Sequence, residues 1–164
     1  MALAAADLEI QAAVLEAVYP SIDVAVENRM RMRLGELGVA MSPLLLAQLQ
    51  PRLGVSRAEL RPVERIGFLR CPVLIIGGGV DQHTTVNDTQ QLYAAAQAPK
   101  QLWLLPNVAH VDFLQAAGDE YRRRILAWFD QTLRIRQPAN MPLQPASGAA
   151  RQGQIAVTER AARG

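Results

Sequence analysis

Cysteine is nearly absent from this sequence: Cys71 is the single one, so no disulfide can form within the chain. Nothing in the cysteine content calls for an oxidising compartment, and we expect a cytoplasmic protein. Aromatic residues are also scarce, at 5% of the chain, although 50% of all residues are hydrophobic. A chain of 164 residues with this composition can bury the core of one domain.

Lysine and long apolar runs are scarce as well. Lys100 is the single lysine among 17 basic residues, and the arginines are spread along a chain whose net charge is only +2. Because no basic stripe is available to follow a phosphate backbone, we expect no nucleic-acid partner. Acidic residues interrupt the Ala- and Leu-rich residues 1–19, and no basic residue precedes them. This segment therefore predicts neither a signal peptide nor a membrane span, and we expect no membrane partner.

Two short apolar segments have the composition of parallel strands that are buried on both faces. Residues 71–76 end at three glycines, Gly77 to Gly79, and residues 101–105 end at Pro106. A helix over residues 84–96 separates them, so we predict a strand, helix, strand unit. Residues 10–19 favour a further strand, although their Ala and Glu content also allows a helix.

The remaining segments predict helices and a tail. Residues 22–41 fit an amphipathic helix with Arg29, Arg31 and Arg33 toward water, and Ser42-Pro43 is expected to open a second helix over 44–49. A short helical piece follows at 56–60, and a last amphipathic helix is predicted over 119–133. Residues 137–164 lack periodicity, and we expect a disordered tail.

Polar loops follow the two clearest strands, at the strand ends where parallel sheets place functional groups. One loop contains Asp81 and His83, and the other contains His110 and Asp112. An imidazole can take a proton from a nucleophile and return it to a leaving group, and a carboxylate behind the imidazole fixes its tautomer. The glycines before Asp81 are expected to let the backbone turn off its strand without steric cost.

The order of these features resembles the last third of an α/β-hydrolase. A Pro-Val-Leu-Ile-Ile strand, a glycine-rich turn with Asp81, a helix, a Pro-Lys-Gln-Leu-Trp strand and His110 before a closing aromatic-rich helix occur in the family's sequence. The resemblance implies an α/β fold over residues 1–136, with about three parallel strands, the sixth to eighth of the full sheet, and a cap-like helical segment at 22–65. It also implies that Asp81 is the triad acid, that His110 is the base, and that an ester, thioester or amide is hydrolysed without a cofactor.

The family's nucleophile motif, Gly-x-Ser-x-Gly, does not occur in the sequence, and its four serines, at positions 21, 42, 56 and 147, lack the glycines of that turn. By the resemblance, the chain begins just after the nucleophile, as a truncated or split-gene product would. We therefore expect it to be inactive alone. A partner segment that carries the nucleophile would pair with the strand edge at Ile10 to Val18, or this exposed edge would cause self-association.

Two other classes of function stay open. The chain could be a non-catalytic binding or scaffold module, or a small metal-dependent α/β domain that uses Asp81, His83, His110 and Asp112. The spacing of these four residues matches no metal signature, so we expect no metal site. We interpret His83 as a solvated loop residue and Asp112 as the start of a helix or turn. Cys71 precedes its strand, far from His110, and predicts a buried thiol rather than a nucleophile.

Overall fold

Three parallel strands form one sheet in the computed structural model, which describes residues 10–134. They are β1 (Ala13–Glu16), β2 (Val73–Gly78) and β3 (Lys100–Leu105), in the order β1-β2-β3. Ala13 is paired with Val73, and Val73 with Lys100, so the amino ends of the three strands are aligned. The predicted parallel sheet is confirmed, and the predicted tail at 137–164 lies outside the described residues.

The first strand is shorter than the sequence pattern predicted. It covers only Ala13–Glu16 of the segment 10–19, and it ends where Ala17 adopts a φ of 45°. A left-handed backbone at a non-glycine residue breaks the extended geometry that a strand requires. Pro20 then follows and cannot donate a hydrogen bond to a neighbouring strand.

Helices connect and cover the strands: α1 (Ile22–Leu46), α2 (Leu49–Leu53), α3 (Pro62–Arg65), α4 (Val86–Ala95) and α5 (Phe113–Arg134). Short 3₁₀ turns lie at Arg57–Leu60, where Ser56 and Glu59 form a capping box, and at Ile66–Phe68. The helix predicted over 84–96 is α4. The helices of segment 22–65 are present, and their role as a cap stays a prediction.

The first long helix is interrupted in a different place from the one predicted. α1 continues through Ser42 and Pro43, and its backbone leaves the helical region instead at Gly35, with φ 61° and ψ −149°. Only glycine reaches that region without steric strain. The prediction of a helix start at Ser42-Pro43 was wrong because the backbone continues past the proline, whose carbonyl accepts the Ala47 N–H.

The last helix begins earlier than predicted. α5 starts at Phe113 rather than at residue 119, because the Asp112 carboxylate accepts the N–H groups of Leu114 and Gln115 and so caps its first turn. Gly118, with a φ of 50°, interrupts the helix before the predicted segment. The predicted amphipathic helix is therefore the second part of a longer element.

Two apolar clusters cover the two faces of the sheet, as a three-layer α/β arrangement requires. Side chains of β2 alternate between them: Val73 and Ile75 face one cluster, and Leu74 and Ile76 face the other. The first cluster also contains Ile66, Cys71, Leu92 and Ala96, and the second contains Trp103, Leu105, Phe113 and Trp128. The central strand is buried along its whole length, so its carboxyl end is held rigidly.

Within residues 10–134, no helix is both long enough and apolar enough to cross a bilayer.

Candidate active site

Asp81 and His110 meet at the carboxyl ends of two adjacent strands, β2 and β3. Nδ1 of His110 lies 2.8 Å from Oδ2 of Asp81, which is hydrogen-bond distance. The Asp81 side chain is 0% exposed, whereas the His110 side chain is 38% exposed. The imidazole therefore turns one nitrogen toward a buried carboxylate, and within residues 10–134 nothing hydrogen-bonds to the other, Nε2.

The carboxylate of Asp81 is fixed by its own loop. Its second oxygen, Oδ1, accepts the backbone N–H of His83 at 2.7 Å and that of Thr84 at 2.9 Å. A buried carboxylate is unfavourable unless its oxygens are hydrogen-bonded, and both oxygens of Asp81 have partners here. Oδ2 is thereby held in the direction of His110.

The glycines before Asp81 allow a close approach of the two loops. A Cβ at Gly78 would lie 2.3 Å from the Val108 carbonyl oxygen, and one at Gly79 would lie 2.3 Å from that of Pro106. None of Gly77, Gly78 and Gly79 has a positive φ, so the backbone here does not need the conformations that only glycine adopts freely. They let the Asp81 loop pack directly against the His110 loop, where Val80 N–H bonds to Val108 O.

His83 lies against the candidate pair and is not the solvated residue that the sequence predicted. Its ring centroid is 4.7 Å from that of His110, with the two planes at 42°. Its Nδ1 atom is buried and has no hydrogen-bond partner. The residue is half-buried, and its backbone N–H donates to Asp81.

Sequence reasoning missed Asn28, a buried residue of α1 that contacts the Asp81 loop. Its Nδ2 donates to the carbonyl of His83 at 3.1 Å and to Oδ2 of Asp88 at 2.9 Å. Both partners are more than fifty positions away along the chain. An Asn within a predicted helix is the one sequence signal that could have indicated such a contact, because a polar side chain that becomes buried requires partners.

The other residues considered from sequence are placed as follows. Asp112 caps α5, as predicted, and Cys71 is buried just before β2, at the opposite end of the sheet from His110. In the described part of the chain, no group of three or more His, Cys, Asp or Glu side chains is arranged to hold a metal ion. The metal set proposed as an alternative is therefore not assembled there.

None of the three described serines hydrogen-bonds to His110. Ser21 Oγ accepts the Val24 N–H and caps α1, and Ser42 Oγ donates to the Gly38 carbonyl inside the same helix. Ser56 forms a capping box with Glu59. Each of these hydroxyl groups has a local structural role.

Comparisons with solved structures find similar folds at low sequence identity. The chain resembles an esterase of Pyrococcus furiosus, Pf2001 (18% identity, TM-score 0.55, 76% of this chain and 46% of that one). It also resembles the α/β hydrolase GrgF of Penicillium sp. sh18 (15% identity, TM-score 0.54, 80% and 60%) and a monoacylglycerol lipase of Paleococcus ferrophilus (16% identity, TM-score 0.50, 80% and 64%). No protein-family model matches the sequence, and no curated protein sequence is significantly similar to it.

These neighbours define the class of fold. The described residues form a partial α/β-hydrolase fold, with three parallel strands and flanking helices. The chain spans about half to two thirds of the length of the three structures. It is therefore similar to part of an α/β-hydrolase, as the order of the sequence motifs predicted.

Proposed function

We propose that this chain supplies the acid and the base of a serine-hydrolase triad, with Asp81 as the acid and His110 as the base. The observation that carries the proposal is the 2.8 Å contact between His110 Nδ1 and Asp81 Oδ2 at the ends of adjacent parallel strands. A carboxylate at Nδ1 favours the tautomer with its proton there and leaves Nε2 free to accept a proton. Nε2 is also the imidazole nitrogen to which no described residue hydrogen-bonds.

The reaction is the hydrolysis of an acyl bond, in an ester, thioester or amide. Nε2 of His110 would take the proton of a nucleophile hydroxyl and then deliver it to the leaving group, while buried Asp81 stabilises the imidazolium. Of the structural neighbours, one is described as an esterase and another as a monoacylglycerol lipase. This favours a carboxylic ester over an amide as the substrate class.

The nucleophile comes, in this proposal, from a segment with a Gly-x-Ser-x-Gly turn, either in a longer polypeptide or in a partner chain. β1 is one of the two edge strands of the described sheet, and a further strand could pair with it. Pairing there would extend the sheet beside the ends of β2 and β3. A cytoplasmic location is part of the proposal and rests on the single cysteine.

The test is hydrolysis of p-nitrophenyl acetate by the chain alone and by the chain coexpressed with a nucleophile-bearing segment. We expect the chain alone to react no faster than an exposed histidine does, and the complex to turn over. In the complex, His110→Ala and Asp81→Asn should each reduce kcat by about 10⁴-fold, because base strength or the correct tautomer is lost.

His83→Ala is the matched control, since it removes the imidazole that lies against the His110 ring but keeps the backbone N–H groups that donate to Asp81. It should reduce kcat far less than His110→Ala does. Turnover by the isolated chain that survives His110→Ala, or that is lost on chelation, would contradict the proposal and support a metal-dependent activity. Tight capture of a partner without any turnover would support the binding-module alternative.

A further inference from the structure

Asn28 is a buried amide in α1 that joins this helix to the loop of Asp81. Its two N–H groups reach the His83 carbonyl oxygen, at 3.1 Å, and Asp88 Oδ2, at 2.9 Å. Both partners are acceptors, so the side chain here must supply two donors, which the amide nitrogen of Asn28 does. The contact therefore depends on the amide of asparagine and not merely on polarity at this position.

The contact continues directly to the candidate pair. Asn28 donates to the carbonyl of His83, and the backbone N–H of the same His83 donates to Asp81 Oδ1 at 2.7 Å. The other oxygen of Asp81 then contacts His110 Nδ1 at 2.8 Å. Asn28 thus fixes the backbone of His83 on the side away from Asp81, and the orientation of the carboxylate follows from that backbone.

The second partner of Asn28 restricts the far end of the same loop. Asp88 Oδ2 also accepts the Thr85 N–H at 2.9 Å and the Thr85 hydroxyl at 2.8 Å. These bonds are part of the capping box at the start of α4. Asn28 therefore contacts both His83 and Asp88, at the two ends of the segment that leads from Asp81 into α4. One side chain of α1 limits how far this segment can rotate.

We propose that Asn28 is a positioning residue that holds Asp81 in line with His110 and thereby makes the geometry of the pair depend on α1. The effect of Asn28 on the tautomer of His110 can be measured without any turnover. Its effect on turnover rests on the proposed function. A cap-like segment that shifts on binding a substrate would act on the acid–base pair through this contact.

The test measures the tautomer of His110 by ¹⁵N NMR of the imidazole, in the full 164-residue chain at a pH where the imidazole is neutral. In the wild type we expect the proton to be on Nδ1. In Asn28→Ala the ratio of the Nδ1–H form to the Nε2–H form should fall about fivefold, the factor that one neutral hydrogen bond is worth. Asn28→Ser keeps one donor and should give a smaller fall in the same direction.

Ser42→Ala is the matched control, because Ser42 is also buried in α1 but its hydroxyl bonds only within that helix, to Gly38 O. This variant should lower stability without changing the tautomer ratio. A wild-type ratio in Asn28→Ser, or in Asn28→Ala with retained fold, would overturn the proposal. So would an equal change in Ser42→Ala, since Asn28 would then act only through general stability.

Kinetic measurements distinguish a failure of this inference from a failure of the proposed function. In an active complex, Asn28→Ala should lower kcat about fivefold and leave KM unchanged, whereas Ser42→Ala should change neither. If the wild-type complex shows no turnover, the proposed function fails, and the tautomer measurement still decides the role of Asn28.

Discussion

At the scale of single residues, Gly78 is one of the positions with no room for a side chain. A Cβ there would lie 2.3 Å from Val108 O and 3.0 Å from Ala109 O, and both are backbone atoms that cannot rotate away. Gly78→Ala should lower the free energy of unfolding by about 1–3 kcal/mol, because the loops of Asp81 and His110 must separate. Urea denaturation measures this change.

Gly67→Ala is the matched control for that measurement. A Cβ at Gly67 would meet only Ala95 O, at 3.4 Å, which is ordinary van der Waals contact, and Gly67 has no positive φ. This variant should change stability by less than about 1 kcal/mol. An equal loss in both variants would show that the loop contact is not what excludes a side chain at Gly78.

Tyr121, in α5, gives the protein a defined sensitivity to alkali. Burial, together with a hydrogen bond from its hydroxyl to the Glu16 carboxylate, raises the pKa of Tyr121 from 10.0 to about 12. A raised folded-state pKa means that the folded protein favours neutral tyrosine. This contribution to stability is complete below pH 10 and is lost as the pH rises through about 12.

Tyr121→Phe should therefore remove the part of the pH dependence that falls between pH 10 and about 12. Urea unfolding at a series of pH values measures it. Glu16→Gln should weaken the dependence without abolishing it, because burial, the larger cause of the pKa shift, remains. A slope in Tyr121→Phe identical to that of the wild type would contradict this assignment.

At the scale of elements, the sequence predicted the segments around β2, α4 and β3 well. Their signals are local: an apolar run for each strand and a helical segment over residues 84–96 between them. The structure adds that Thr85 and Asp88 form a capping box at the start of α4. α1 was harder, since Pro43 is a strong local break signal, whereas Gly35, where the break occurs, is compatible with a helix. The contact of Asn28 with the Asp81 loop could not be predicted, because it depends on the packing of distant elements.

Lys100 links β3 to the end of α4. Its Nζ donates to the carbonyls of Tyr93 at 2.7 Å, Ala94 at 3.2 Å and Ala96 at 2.8 Å, which the helix leaves without partners. Lys100→Met should destabilise the protein by about 1–2 kcal/mol, because these carbonyls and the helix dipole lose their cation. Gln101→Met, at the exposed neighbouring position, is the control for urea denaturation and should have little effect. Equal losses would contradict the capping role.

At the scale of the whole molecule, β1 is one of the two edge strands of the described sheet. Ala13 N–H bonds to Pro72 O, just before β2, and Ala17 N–H bonds to Ile76 O in β2. By the alternation of a strand, the N–H groups of Val14 and Glu16 therefore face away from β2. We expect concentration-dependent association through this edge, measurable by sedimentation velocity.

Val14→Pro tests this expectation without breaking the bonds between β1 and β2. Proline removes one outward N–H and blocks the approach of another strand. The variant should therefore shift the equilibrium toward monomer, while Leu15→Pro, which removes an inward N–H, should destabilise the sheet itself. Association of Val14→Pro at wild-type strength would mean that another surface is responsible.

The pairing of β1 with β2 also bears on how the chain folds as it leaves the ribosome. Val73 and its partner Lys100 are separated by a segment with one short helix. Ala13 and its partner Val73 are separated by more than twice as many residues. Closing a longer loop costs more entropy, so β2, α4 and β3 can assemble as a local unit while β1 docks onto a finished surface. Of the three described strands, β1 is synthesised first, and the longest stretch of chain must follow before its partner β2 is available. In that interval it is the segment that a chaperone would be expected to bind.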